Sequence, residues 1–286
     1  MEKSMKSYNT EKVLNQAITY GVLCIATAIT IIPIVLVFIN SFKSRLYISS
    51  NPFSMPDSNT FVGFENYLNG LKSTNFIPSF LRSVWITISS VFVIVLCTSM
   101  TSWYIVRRKT RGTNLLYTIF AFSMIVPFQM VMYTMTYVVN KLAFNNIFGI
   151  ILVYLGFGSG LAVFMFTGFI KAVPVEIEEA AAIDGCTPLQ TYFKIVFPVL
   201  KPTIITVSIL DAMWIWNDYL LPYLVLGTRN KTVPVAIQLA MQGAYGSTDY
   251  GGFMAMLVLA IIPIVIFYIS SQKYIIKGVV AGAVKG

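Results

Sequence analysis

An all-α polytopic membrane protein of about six transmembrane helices is what the sequence predicts, on three observations. Mean hydropathy is +0.76, and 57% of the 286 residues are hydrophobic against 11% charged, a balance that places the chain in the membrane class. The apolar residues gather into runs of span length separated by polar stretches. The basic residues stand in short clusters beside those runs, as topology signals do, which turns the net charge of +9 away from nucleic-acid binding.

The N-terminal segment carries Lys3, Lys6 and Lys12 ahead of an apolar run from about Ala17 to Ile39. That run exceeds a secretory h-region and has no clear cleavage site at its end, so it reads as a retained first span. From Ser41 to Arg82 the chain is polar, and Pro52, Pro56, Asp57, Gly63, Asn66 and Asn69 supply the turn chemistry of an ordered external loop. A second span from about Ser83 to Val106 closes on Arg107, Arg108, Lys109 and Arg111, which marks that end as cytoplasmic.

A third span, Leu115 to Val138, is interrupted by Pro127 and Gln129. Proline removes a backbone bond, and two readings fit: a packing kink, or a bend lining a translocation cavity with Gln129 as a polar contact for the solute. The fourth span, Ile147 to Ile170, alternates Gly156, Gly158 and Gly160, small enough for close helix contact or a local break. A fifth span runs from Thr203 to Leu226, a polar external loop follows to Tyr250, and a sixth span occupies Gly251 to Ser270. This path puts Lys3, Lys6, Lys12, the Arg107–Arg111 cluster, Lys171, Lys194, Lys201, Lys273, Lys277 and Lys285 on one side. Lys43, Arg45, Lys72, Arg82, Lys141, Arg229 and Lys231 fall on the other, so both termini are expected to be cytoplasmic.

Between the fourth and fifth spans lies a polar island, Lys171 to Pro202, with three glutamates, an aspartate and three lysines. Its chemistry predicts two short helices. Pro174 can open the first, where Glu176, Glu178 and Glu179 meet the positive end of the helix dipole, and Gly185 ends it as a C-cap tolerant of positive φ. Thr187-Pro188-Leu189-Gln190 is a capping-box pattern that opens the second, which must end near Pro198. Leu189, Tyr192, Phe193 and Val196 fall at i, i+3, i+4, i+7 and give that helix an apolar face. The first helix offers a row of small residues, Ala180-Ala181-Ala182, flanked by carboxylates. Periodicity leaves open an ordinary cytoplasmic loop or an element inserted into a partner's cleft.

Glu179-Ala180-Ala181, Asp184-Gly185, then Ile195 and Pro198 at their spacing resemble the EAA loop of bacterial ABC-importer membrane subunits, with Phe197 where leucine is usual. Phe61 to Leu68, the run VPFQMVM around Gln129 and the run WIWNDYLLP around Asn217 are similar to sugar-importer permeases, with Arg82 where asparagine is expected. Gly282, Ala283, Val284, Lys285 and Gly286 resemble the terminus of the MalG-like subunits. The resemblance spans nearly the whole chain. It implies a MetI-like permease core divided as residues 1–82 (first span and external loop), 83–271 (core, with the EAA loop at 174–198) and 272–286 (cytoplasmic tail). It further implies that Glu178, Glu179, Ala180, Ala181, Asp184, Gly185, Ile195 and Pro198 couple to an ATPase and that the tail contacts it. The implied partners are a homologous second permease, two copies of a cytoplasmic ATP-binding subunit that hold ATP and Mg, and an external solute-binding protein. The implied setting is the bacterial cytoplasmic membrane.

Inside the membrane, Asp211 and Asp218 stand seven apart with Trp214 and Asn217 beside them. Insertion costs of roughly 2.5–3.5 kcal/mol for a centred aspartate require Asp211 to face the bundle interior or water. Three roles fit: proton or cation carriage in a secondary transporter, contact with sugar hydroxyls alongside aromatic rings, or interhelical glue. With no histidine, His-based metal sites and Ser-His triads are excluded. Cys24, Cys97 and Cys186 have no zinc-like spacing, and no phosphate-binding loop motif occurs, so no cofactor, metal or ATP site is expected on this chain. The resemblance implies a non-enzymatic transport subunit for a carbohydrate, with an ion-coupled transporter or a permease for another solute as alternatives.

Overall fold

The computed structural model describes residues 2–241 and 249–283, and side chains over 14–241 and 249–274. Fourteen helices appear among them: α1 (Glu2–Asn40), α2 (Arg45–Ser50), α3 (Glu65–Ser73), α4 (Phe76–Arg107), α5 (Arg111–Ser123), α6 (Phe128–Lys141) and α7 (Ile147–Ile170). There follow α8 (Glu176–Ile183), α9 (Pro188–Thr191), a π-helical turn (Tyr192–Val196), α10 (Phe197–Val199), α11 (Lys201–Asn217), α12 (Leu220–Leu226), α13 (Val233–Met241) and α14 (Tyr250–Ala283). Four helices are long and apolar enough to cross a membrane, and six spans result if each of two bent helix pairs counts as one. Contacts divide the chain into two units. One holds α1–α3 and α14 up to Leu259, and the other holds α4 through most of α13 with α14 from Ala260.

In the first unit, Leu14–Asn40 of α1 is apolar on every side and none of its apolar window is buried, as lipid contact permits. The stretch after it is folded more tightly than a loop. Asn66 Nδ2 donates to the carbonyls of Ser41 and Lys43, each at 2.8 Å. Phe42 packs against Phe61, Phe64 and Tyr67. The Lys43 amine is fully buried and donates to the Asn51 carbonyl and Ser54 Oγ. Burial pushes its pKa below the ordinary lysine value, against the pull of Asp57.

The second unit is built on α4 and α7, which pack along their length. Ile94, Ile150, Tyr154, Ala162, Phe166 and Ile170 form the buried seam, joined by Tyr192, Leu200 and Leu221. The glycines of α7 allow the approach. A Cβ on Gly158 would come 2.7 Å from Ile94 Cδ1 of α4, and one on Gly160 would come 2.6 Å from Ser123 Oγ of α5.

The structure corrects several boundaries. The second span starts at Phe76 rather than Ser83, so the boundary drawn at residue 82 falls inside α4. Arg82 Nη1 donates to the Lys231 carbonyl at 2.6 Å and Ser83 Oγ accepts from the Val233 N–H at 2.8 Å, which ties α4 to the start of α13. The third span is not a kinked helix but two helices bent by 108°, with extended Pro127 leading into α6. The fifth ends at Asn217, because Asp218 is extended and α12 starts afresh. The supposed loop after it contains α13, whose Val233, Val235, Ala236 and Ile237 are buried. The sixth span continues as helix to Ala283, past the expected end at Ser270.

Candidate functional site

The polar island folds as an elbow of two helices. α8 carries Glu176, Glu178 and Glu179 in its first turn and ends with Asp184 as C-cap. Gly185 follows at φ +80. The Cys186 N–H donates to the Ala181 carbonyl at 3.0 Å and the Gly185 N–H to Ala182 at 3.1 Å, the paired bonds of a Schellman ending. Thr187 then caps α9: its hydroxyl accepts from the Gln190 N–H, while Gln190 Oε1 accepts from the Thr187 N–H.

The faces of the elbow differ from expectation in two places. Ala181 is 5% exposed and turns inward, so the accessible small residues of α8 are Ala180 and Ala182. The apolar stripe of the second helix is split by the π turn, whose i→i+5 bonding departs from the α-helical period. Tyr192 and Val196 are buried, whereas Leu189 and Phe193 are exposed. Glu179, Asp184 and Gly185 are exposed along with Pro198, and Ile195 is half-buried.

Glu178 is engaged within the chain. Arg107 Nη2 lies 2.7 Å and Nε 2.9 Å from its Oε1, Trp103 Nε1 donates to its Oε2 at 2.8 Å, and Arg107 Nη2 also donates to the Val173 carbonyl at 3.1 Å. Nearby, the Tyr192 and Ser99 hydroxyls share a hydrogen bond of 2.6 Å, and the Tyr192 ring lies 5.5 Å from that of Trp103. Trp103 did not stand out in the sequence, Tyr192 stood out only as part of the apolar face of the second helix, and Arg107 only as a topology charge.

Of the intramembrane polar residues, Asp218, Trp214 and Tyr154 are brought together. Tyr154 Oη donates to Asp218 Oδ2 at 3.1 Å, Asp218 Oδ1 accepts from the Leu221 N–H at 3.3 Å, and the Tyr154 ring meets Trp214 edge-on. Asp211 is 4% exposed, and its Oδ2 has no hydrogen-bond partner among the described residues. It faces α7 near Gly158. Seven residues apart would place the two carboxylates on nearly the same side of an unbroken helix, but the chain leaves the helical path at Asp218. Asn217 bonds back to the Met213 carbonyl, and Gln129 stands exposed on α6. A cavity of about 420 Å³ between α4, α11 and α14 is lined by Val84, Val91, Met213, Trp216 and Phe267. Its polar lining is confined to Thr87 and Ser208 and a tryptophan ring, so it offers little to a polyhydroxylated solute. No group of three metal-ligating side chains occurs among the described residues. Val284, Lys285 and Gly286 lie outside the described residues, and Gly282 and Ala283 are described only as the last turn of α14.

Residues 94–280 of this helical bundle match the family described as binding-protein-dependent transport system inner membrane component. The chain belongs to this family, whose members are multi-pass permease subunits rather than enzymes. It is 38% identical over 254 residues to the probable starch degradation products transport system permease protein AmyC of Thermoanaerobacterium thermosulfurigenes, covering 88% of this chain and 91% of that one. It is 34% identical over 281 residues to the multiple sugar-binding transport system permease protein MsmG of Streptococcus mutans, covering 96% and 99%. In fold it resembles a chain from a bacterial ABC transporter involved in the import of the acidic polysaccharide alginate. The TM-score is 0.76 at 20% identity, with 91% of this chain and 96% of that chain covered.

Proposed function

We propose that this chain is a permease subunit of an ATP-driven carbohydrate importer, translocating an oligosaccharide delivered by a solute-binding protein. The substrate class rests on the relatives of similar length named for starch products and multiple sugars. The observation that carries the ATP-driven reading is the elbow. Its turn presents Ala182, Ile183, Asp184 and Gly185 to solvent, with Glu179 and Ala180 exposed along α8, while its base is held to α4 by Glu178 and Tyr192. An element exposed at its turn and anchored at its base can receive force from a partner and pass it on.

In this reading a homologous second permease completes the pathway, and two cytoplasmic ATP-binding subunits hold ATP and Mg and carry out hydrolysis. Both termini of this chain lie in the cytoplasm of a bacterium, and its spans cross the cytoplasmic membrane. Closure of the ATPases displaces the elbow, and the bundle shifts between inward and outward access by differential binding to two states. The chain itself makes no covalent bond. Asp211, Trp214, Asn217, Asp218 and Gln129 stand as candidates for the solute path.

The test is reconstitution in vesicles with the ATPase, the second permease and the binding protein. Uptake of a labelled malto-oligosaccharide is expected to require ATP and the binding protein. Uptake by this chain alone, driven by an ion gradient and insensitive to ATP, overturns the reading. A further expectation concerns the tail: deleting Gly282 to Gly286 weakens ATPase co-purification and lowers stimulated hydrolysis. Wild-type assembly and turnover in the truncated complex would make those residues a solvated end.

A further inference from the structure

α4 presents Ser99, Trp103 and Arg107 four residues apart, hence along one side of the helix. All three reach the elbow. Trp103 and Arg107 donate to both oxygens of Glu178, and Arg107 extends to the carbonyl of Val173 in the link between α7 and α8. Ser99 meets Tyr192 of the π turn. The ion pair is largely shielded, with side chains 20% and 10% exposed, so solvent screens it less than a surface pair. A planar guanidinium can hold a carboxylate and a carbonyl in one plane, which a lysine ammonium cannot. Arg108, Lys109 and Arg111, beside it in sequence, are exposed and form no ion pair among the described residues.

At the turn of the elbow, a Cβ on Gly185 would meet nothing within 4 Å, and Ile183 is 87% exposed. α8 is thus fixed near its start and unencumbered near its finish. α4 itself runs 32 residues with no glycine and with its proline confined to the first turn, so no proline or glycine kink interrupts it beyond that turn. Its far end holds the start of α13 through Arg82 and Ser83.

We infer that Arg107, supported by Trp103, is the positioning residue that locks the elbow to α4, so that displacement of α8 is delivered to α4 instead of being absorbed in the α7–α8 link. This rests on the permease reading above. Arg107 acts through Glu178 and touches neither solute nor nucleotide.

The experiment uses the assembled transporter in vesicles and reads malto-oligosaccharide uptake and ATP hydrolysis in the same preparation. Arg107→Glu is expected to lower uptake per ATP hydrolysed by roughly 5-fold or more, the lower range of measured coupling between sites. Glu178→Arg does the same, and the double exchange Arg107→Glu with Glu178→Arg restores at least half of the wild-type ratio. Arg107→Lys, which keeps the charge and the chain's assembly but loses the fork, gives an intermediate ratio. An unaltered ratio in Arg107→Glu and Arg107→Lys, or an exchange that restores nothing, overturns the latch. A wild-type complex without ATP-dependent uptake overturns instead the function on which the latch rests.

Discussion

Replacing Gly185 with valine is expected to remove most ATP-driven uptake while the chain still inserts in the membrane. Gly185 sits at φ +80, and its N–H and that of Cys186 close the last turn of α8. A Cβ there would meet nothing within 4 Å, so space is not the obstacle. The obstacle is the backbone: a β-branched residue in the left-handed region costs roughly 1–3 kcal/mol, enough to reduce the population of the native elbow about tenfold. Asparagine tolerates that conformation better, so Gly185→Asn should retain several-fold more uptake than Gly185→Val. The strain falls on an exposed turn outside the α4–α7 seam, which is why insertion survives. In vesicles, ATP hydrolysis should continue without matching uptake. Wild-type uptake by Gly185→Val would remove the elbow from the coupling path.

The parts of this fold that were legible in sequence are those fixed by local chemistry. α7 occupies Ile147–Ile170 as its apolar run requires. The capping box at Thr187 and Gln190 forms as the residue types dictate, and Gly185 adopts the positive φ that made it a stop signal. Such features involve neighbours a few residues apart, so their energetics are written in the sequence itself.

What was not legible depends on partners far along the chain. Pro127 announces a disturbance, but not its size: α5 and α6 meet at 108°, with α5 packed on α7 and α6 on α12. The break at Asp218 had a signal in Pro222, which cannot bond to the carbonyl four residues before it, but that the extended residue is held by Tyr154, from a different span, could not be read from it. α13 had a start signal in Pro234, one residue inside its first turn, that the polar surroundings obscured. Arg107 was visible as one cation of a cluster, and its partner Glu178, 71 positions later, emerged only in the structure. Arg82 is a similar case. Where the family resemblance led to an asparagine, the structure has an arginine donating to the carbonyl of Lys231.

Asp218 can be separated from the transport chemistry by two substitutions. Each of its oxygens already has a structural partner: Oδ2 accepts from Tyr154 and Oδ1 from the Leu221 N–H in the first turn of α12. Alanine removes both. It leaves the Tyr154 hydroxyl, on a side chain with no exposed surface, without its acceptor at about 1–3 kcal/mol, and deprives α12 of a cap-type contact at about 1 kcal/mol. Asp218→Ala should therefore lower the thermal midpoint of the solubilised protein measurably. Asparagine keeps an acceptor for Leu221, and its amide can donate to the Tyr154 oxygen, so both contacts persist with one donor role exchanged. Asp218→Asn is expected to keep more than half of ATP-driven uptake and most of the stability. That outcome assigns Asp218 to the joint between α7 and the break after α11, because an amide cannot carry a proton at the pH of the assay. Loss of uptake in a stable Asp218→Asn protein would return the charge itself to the mechanism and revive the ion-coupled alternative.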